Sequence, residues 1–563
     1  MSNEAPAKLT HNEEIKDAIP TLAGTIAATL NDAGADHFSE DDNQFLKFHG
    51  CYQQDDRDLR KTGKKYIMMI RSRIPGGVMT TNQWKTFDEL SAVHGNNTLR
   101  ITTRQTIQFH GVLKNNLRAV VKGINECLLS TLAACGDVTR NVTAPPTPAY
   151  TLARGQVYAD CKKIALALAP QTKAYHSIWI EGVQLDLTGA ENKEFVDPLY
   201  GPAYLPRKFK TAFAIPPVND VDIFTNDQGY IAIIENDQLV GYNLAVGGGM
   251  GRSHGNTATY PRLADVIGFI APDKLLEAAK AVLTVHRDFG DRTDRKHARL
   301  KYVVQERGVD WTRAEIERRG GFKFEPARPF RFTTSGDLYG WRQAVDGKWF
   351  LTLFVECGRV KDMEGRRLKT ALRQVAEKFS EIEFRLSPNQ NLILASVAEE
   401  DKDAITELLT EHGVSTSHRQ ASVLHAASMA CPALPTCGLA LAESERMLPG
   451  LIDRVEKLCE AVGLAGEEII IRSTGCPNGC SRPYTAEIAF VGKAPARYQI
   501  WLGGNPAGTR LNRVWREVVK EADIESELRP VLTRYANERF NRESFGDWCD
   551  RVLLNEPATG FSI

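Results

Sequence analysis

Short apolar runs and segments of helical period alternate along this 563-residue chain. YIMMI at 66–70 and WFLTLFV at 349–355 have the length and continuity of buried strands. Each precedes a polar-alternating stretch, LRITTRQTI at 99–107 and FRLSPNQNL at 384–392, and then a helical-looking one, LRAVVKGINECLL and KDAITELLTEHG. Aligned, the two stretches set Arg100 against Arg385, Thr102 against Ser387, Arg104 against Asn389 and Gln105 against Gln390. That recurrence predicts an internal duplication.

A second pair recurs in the same order. VGGGMGR at 246–252 and LGGNPAGTR at 502–510 close strand-rich stretches. Taken alone each is an ordinary turn; paired, they predict two halves that grip something between them, because glycine lets backbone approach a ligand closely. The expected architecture is α+β with pseudo-two-fold duplication. Small α/β modules at 64–128 and 335–412 alternate with larger mixed modules at 160–318 and 420–555. Residues 1–60 are polar and weakly periodic and read as an arm, with part of a partner contact assigned to it. TAPPTPAY at 143–150 reads as a Pro-rich connector.

Composition changes this picture little, except by exclusion. Lys plus Arg equals Asp plus Glu, 70 against 70, which argues against a nucleic-acid footprint over the whole surface. Affinity for an anion must then come from local clustering. The first thirty residues lack a basic stretch followed by an apolar one, and no run approaches the ~18 apolar residues of a membrane span, so a cytoplasmic protein without a membrane segment is expected. Of the 11 cysteines, Cys51, Cys127, Cys135, Cys161, Cys357, Cys459 and Cys549 stand singly and read as small buried hydrophobes.

The other four are clustered as Cys431-x5-Cys437 and Cys476-x3-Cys480. Four thiolates are the usual ligand set of a [4Fe–4S] cluster, whereas zinc sites pair ligands roughly two to four residues apart. An iron–sulfur cluster is therefore expected over a structural zinc. Pro477 and Gly479 turn the backbone so that N–H groups can point at sulfur.

With this quartet, the TGCPNGC run and the Arg-bearing strand together, the chain closely resembles the sulfite/nitrite reductase family over about residues 60–555. The resemblance implies small modules of ferredoxin-like fold, and a siroheme that shares one thiolate with the [4Fe–4S] cluster. Carried over, the shared ligand is Cys480, with Cys431, Cys437 and Cys476 on the other irons. It implies six-electron reduction of sulfite to sulfide, with Arg71, Arg140, Lys208 and Lys210 holding the anion and supplying protons. Lysine is the better proton donor, since a crowded cationic pocket lowers its pKa while arginine stays charged.

Siroheme is a polycarboxylate and needs lasting donors. Arg100, Thr102, Arg104, Gln108 and His110 share parity and are expected on one strand face, with Arg207 beside them and Asn478 between the last two cysteines. Because Asn389 replaces Arg104 in the second copy, that charge reads as specific to one working half. The basic run Arg292, Arg295, Lys296, Arg299 and Lys301 is read equally as further carboxylate contacts or as a charged helix face.

Nitrite is the rival substrate within the family. A non-catalytic iron–sulfur electron-transfer protein and a zinc module remain as readings from other classes. No GxGxxG opens a βαβ unit, so the chain is not expected to take hydride from NADPH itself. The resemblance implies a flavoprotein (FAD/FMN) reductase subunit as partner, with ferredoxin as the alternative donor.

Overall fold

The structure is a computed structural model that describes residues 8–148, 151–171, 179–180, 183–184 and 196–555; the last two residues of the TAPPTPAY connector lie outside the described residues. Helices α1 (His11–Ala18) and α2 (Glu40–Phe48) open the described chain. This segment, expected as an arm, is folded into the body, with Leu22, Phe38, Phe45 and Leu46 buried. Its anchors are partly ionic, which is why apolar periodicity missed them. Lys16 is 2% exposed and donates to Glu13 at 2.6 Å and to the Leu205 carbonyl at 2.9 Å, while Glu13 also pairs with Arg292.

The first small module contains β1 (Cys51–Asp55), β2 (Tyr66–Arg71), β3 (Val78–Thr80), α3 (Thr81–His94), β4 (Leu99–Ile101), β5 (Ile107–Val112) and α4 (Leu117–Glu126). Helix α3 starts where Thr80 and Gln83 cap each other reciprocally, at 3.2 and 3.0 Å. The first large module follows with β6 (Thr211–Ala214), β7 (Gln228–Glu235), β8 (Gln238–Val246), β9 (Asp265–Ile270) and α5 (Leu275–Phe289).

The second half repeats the plan. Its small module has β10 (Gly340–Gln343), β11 (Trp349–Leu353), β12 (Arg359–Val360), α6 (Leu368–Lys378), β13 (Glu383–Leu386), β14 (Leu392–Val397) and α7 (Lys402–Glu411). The large one has β15 (Ser428–Ala430), β16 (Ile471–Thr474), β17 (Ile488–Ala494), β18 (Arg497–Leu502) and β19 (Arg513–Lys520).

The strand orders show how the copies interlock. One small sheet runs β1-β2-β5-β4-β12 and the other β10-β11-β14-β13-β3, so each half lends the other an edge strand. The exchange covers edges that would otherwise expose unpaired backbone groups. It also merges the two small modules into one core, where Ile70, Leu99 and Phe109 share a cluster with Leu351, Phe384 and Leu392. Trp84 of α3 stacks on Phe384 at 4.6 Å between ring centroids. The large sheets correspond as β9-β8-β7-β6 and β19-β18-β17-β16, the second carrying β15 as an added parallel edge.

At the centre, each large sheet carries a short turn introduced by a left-handed residue. Asp222 (φ 46°) precedes Ile223–Thr225, and Arg482 (φ 55°) precedes Pro483–Thr485. These two equivalent positions meet: Asp222 Oδ2 lies 3.1 Å from Arg482 Nη1 and 2.6 Å from Arg472 Nη1, all three side chains being buried. A buried charge left unpaired costs about 3–5 kcal/mol. Asp222→Asn, which keeps the volume but strands two guanidinium groups, should therefore lower the thermal unfolding midpoint by roughly 3 °C for a chain of this size. Scanning calorimetry checks this, and an unchanged midpoint removes the pair from the account of stability.

Candidate functional site

The four clustered cysteines hang from adjacent parallel strands. β15 pairs with β16, Ala430 opposite Ser473, so the loops leaving their C-terminal ends lie side by side. Cys431 follows β15 directly, and Cys476 and Cys480 follow β16. The Gly475 N–H donates to Cys431 Sγ at 3.3 Å, and Asn478 Nδ2 to Cys476 Sγ at 3.4 Å. Burial pushes the Cys431 thiol up to about 12 and raises those of Cys437 and Cys476, and in all three the largest charge effect comes from Cys480. One site thus contains all four sulfurs. Four thiolates are the usual ligand set of a [4Fe–4S] cluster, and loading one must release the thiol protons.

Cys480 is exposed, and it faces cations. It lies within electrostatic range of Lys210 and Arg71. Segment 207–210 is held beside 138–140 by Arg140 N to Phe209 O (2.7 Å) and Phe209 N to Val138 O (3.1 Å), with Phe209 buried as the anchor. Its cations therefore project from a fixed backbone. Burial and like-charge crowding lower Lys208 well below the usual lysine value, Lys210 to about 7 and Arg207 to about 10. Yet each retains intermediate exposure, and among the described residues none makes a side-chain hydrogen bond or ion pair. Largely buried but solvent-touched, with Asp227 and Asp137 acting on Lys210 and Arg207 only at a distance, they form a cationic cluster that suits an anion.

The other two expected anion ligands are anchored. Arg140 donates to the carbonyls of Gly136 (3.0 and 3.2 Å) and Ala134 (3.3 Å). Arg71 Nη1 donates to Cys135 Sγ at 3.1 Å, and its Nε reaches Gln108 Oε1 at 3.1 Å in the amide orientation that satisfies both groups. The seven single cysteines are all buried, as expected. Cys135 contacts this site through Arg71.

Strand parity across 100–110 does not hold. β4 ends at Ile101 and β5 begins at Ile107, with a tight turn between them in which Gln105 takes φ 52°. Arg100 is 1% exposed and points to the back of the cluster loop: Nε binds Glu445 at 3.1 Å and Nη2 the Ala430 carbonyl at 2.7 Å, one residue before Cys431. Arg104 donates to Asn226 Oδ1 (2.8 Å) and to the carbonyls of Thr211 (2.7 Å) and Asn141 (3.1 Å), while burial lowers it to about 9. Its charge is not unique to one half. At the second hairpin turn a guanidinium also stands, Arg482 donating to Asn389 Oδ1 at 3.0 Å, but it comes from the position equivalent to Asp222 and not to Asn226. Thr102 Oγ1 closes the turn on Thr106 Oγ1 at 2.7 Å.

Gln108 and His110 do lie on one strand, β5. Cross-strand registry sets Arg71, Gln108, Arg100 and Arg359 in one row. Like charges so placed repel, and Glu445 relieves the row by binding Arg359 (2.7 Å) as well as Arg100. His110, far below its usual value through burial and then Arg359, accepts from Arg359 Nη1 at 3.0 Å on Nδ1.

The basic run 292–301 turns inward except at Lys296, which is exposed. Arg295 pairs with Asp137 (2.8 Å) and Arg299 with Asp227 (2.8 Å). Lys301 Nζ clamps the Gly-rich loop by its carbonyls, Gly251 at 2.9 Å, Gly249 at 3.3 Å, and Tyr260. A Cβ on Gly249 would stand 3.0 Å from Arg299 Nη2 and 3.2 Å from Lys301 Cδ, a close fit against both cations. The loop then reaches the cysteines, Arg252 N donating to the Pro477 carbonyl at 3.0 Å. Sequence reasoning passed over Asp227, Glu445 and Arg359 because their partners lie far away in the chain.

Comparison with known proteins agrees with this geometry. The family model described as nitrite and sulphite reductase 4Fe-4S domain matches residues 160–324. The ferredoxin-like half domain of nitrite/sulfite reductase matches twice, at 60–127 and 342–412. A protein of Myxococcus xanthus named sulfite reductase [NADPH] hemoprotein beta-component is 49% identical over 558 residues, 98% of each chain. A protein of the same name from Shouchella clausii is 47% identical over 98% of this chain and 97% of its own. The solved structure of Mycobacterium tuberculosis NirA has the same fold, with a TM-score of 0.77, 23% identity and 96% coverage of both chains.

The position of Cys480, between the other sulfurs and the cations, yields a test. Cys480→Ser should change visible absorbance from both the cluster and a macrocycle and lower the iron content, whereas Cys459→Ser, in the helix Leu448–Ala461 with Glu456, Glu460 and Glu467 as its charged neighbours, should leave both intact. A macrocycle spectrum unchanged in Cys480→Ser contradicts the shared position.

Proposed function

The chain belongs to the nitrite and sulphite reductase family, and we propose that it is the hemoprotein subunit of an NADPH-dependent sulfite reductase, acting in the cytoplasm beside a flavoprotein subunit. The observation that carries this reading is the cation cluster, in which Lys208 and Lys210, among the described residues, make no side-chain hydrogen bond or ion pair, and Lys210 and Arg71 act on the exposed Cys480. The residues present fit the cofactors: four sulfurs in one site, and cations that make no ion pair among the described residues, for a carboxylate-rich ring and an anionic substrate. When bound, siroheme and the [4Fe–4S] cluster supply the electrons and the iron at which sulfur is reduced.

The protein's own part is to hold an oxyanion and deliver protons. Sulfite going to hydrogen sulfide ion takes up six electrons and seven protons and releases three waters, so each departing oxygen needs protonation. Arg71 and Arg140, fixed by their hydrogen bonds, are assigned to orient the anion. Lys208 and Lys210 are assigned to donate. A lysine held near 7 by burial and by Arg299 and Arg104 gives up its proton far more readily than an exposed one. An incoming anion raises its affinity for a proton, so that the cation cluster recharges as it fills. Gln108, His110, Arg207 and Asn478 are assigned to the cofactor, whereas Arg100, Thr102 and Arg104 are assigned to the frame that carries it.

Steady-state kinetics on the loaded enzyme with sulfite and nitrite tests the function, and the expected result is the higher kcat/KM for sulfite. A clear preference for nitrite would overturn the choice within the family. Lys210→Arg should preserve anion binding, with KM within a few-fold, and lower kcat by about 10²–10⁴-fold, the usual worth of a positioned general acid. The sign of the pH effect follows. Donation requires the protonated amine, so kcat/KM of the unaltered enzyme falls as pH rises through about 7. Lys210→Arg should lack that limb, and its persistence would assign the proton elsewhere.

A further inference from the structure

The cluster site has two open edges. Cys431 and Cys476 are 7% and 6% exposed, whereas Cys480 is exposed towards the cationic cluster and Cys437 is half-buried on the opposite loop. The two residues after Cys437, Gly438 and Leu439, are both exposed, Leu439 by 66%. An apolar side chain so bare, beside a cluster ligand, is the kind of feature that marks an interaction site when its rim is polar.

The rim comes from the other half of the molecule. The loop 56–65 lies across the Cys437 loop: Arg57 N donates to the Pro435 carbonyl at 3.2 Å, and its Nη1 to the carbonyls of Gly438 at 3.2 Å and Ala440 at 3.4 Å. Arg446 ties the same loops together through Asp58 at 3.0 Å. Beyond these ties the loop presents Leu59, 39% exposed, and Lys61, Lys64 and Lys65, all exposed and, among the described residues, without an ion pair. Of the acids nearby, Asp55 is engaged by Arg60 and Asp58 and Glu443 by Arg446, while Asp56 accepts from the Asp58 N–H at 3.0 Å and, among the described residues, makes no ion pair, so cations outnumber free acids on this loop. In a chain of zero net charge this is a local positive surface around an apolar spot.

We propose that this surface, Leu439 and Leu59 ringed by Lys61, Lys64 and Lys65, is where the electron-donating flavoprotein docks with an acidic face, delivering electrons at the Cys437 edge. The inference rests on the function proposed above. Its physics is that of transient electron-transfer encounters, a small contact steered by opposite charge and weakened by salt. Entry at Cys437 also leaves the Cys480 edge to the substrate, so reductant and anion approach from different sides.

The test compares two reductants on the fully loaded enzyme, reduced methyl viologen, which needs no docking site, and NADPH with the flavoprotein subunit. The triple charge reversal K61E/K64E/K65E should lower kcat/KM for the flavoprotein by about tenfold or more at low salt and flatten its salt dependence. Viologen-driven sulfite reduction and the visible spectrum should not change. Leu439→Asp should act in the same direction, and Lys280→Glu, exposed on α5 in the first large module, should have no effect. Flavoprotein-driven rates unaltered in both variants overturn the docking site. Viologen-driven sulfite reduction absent from the unaltered enzyme overturns the proposed function itself.

Discussion

The structure depends on holding many cations close together in an enclosed space. Repulsion among Arg207, Lys208, Lys210, Arg299 and Lys301 would open the fold if nothing opposed it. The opposition is one-sided. Asp227 binds Arg299 and the backbone of Lys210, and Asp137 binds Arg295 and Lys16. These carboxylates sit on the protein side of the cations, leaving the ends of Lys208 and Lys210 without a partner. The imbalance is what makes the cation cluster selective for an anion, and it is sustained because the cations stand on backbone that cannot retreat.

That rigidity comes from the duplication. Because β3 and β12 are exchanged, neither small sheet is complete without the other half. The hairpin turns at 102–105 and 387–390 are then pressed against both large modules. Gln105 Nε2 reaches the Leu386 carbonyl at 2.9 Å, and Gln390 Nε2 the Ala430 carbonyl at 3.0 Å. A shift of either half would carry Cys431 and Arg104 with it, so the cluster loops and the cationic loop keep one relative position.

The cysteine quartet was legible in the sequence because ligand spacing is a local property, and so was the duplication, because aligned hairpins keep their register. The expectation that residues 100–110 share one strand face failed for a specific reason: parity counts only along unbroken strand, and Gln105 reverses the chain within the window. Buried ion pairs were illegible in principle. Arg472 finds Asp222 across 250 residues and Arg359 finds Glu445 across 86, and no periodicity encodes such pairings. The N-terminal segment read as an arm since its contacts with the body are carried by Lys16 and Glu13 as much as by Phe45.

Two equivalent halves with one cation cluster require that the second copy lack it, and the correspondence shows how. Asp222 matches Arg482, which sets Lys208 against Glu468 and Lys210 against Ile470. Likewise Gln108, paired with Arg71, matches Ile393, paired with Thr352. The second copy therefore offers an acid, two isoleucines and a hydroxyl where the first offers lysines, an amide and a guanidinium. Burial, and then Glu467, raises Glu468 above its usual value. Replacing cations by apolar and neutral groups removes the repulsion that the first half must balance, and the second copy gives its strands and turns to the frame while keeping the cysteine loops as its share of the site.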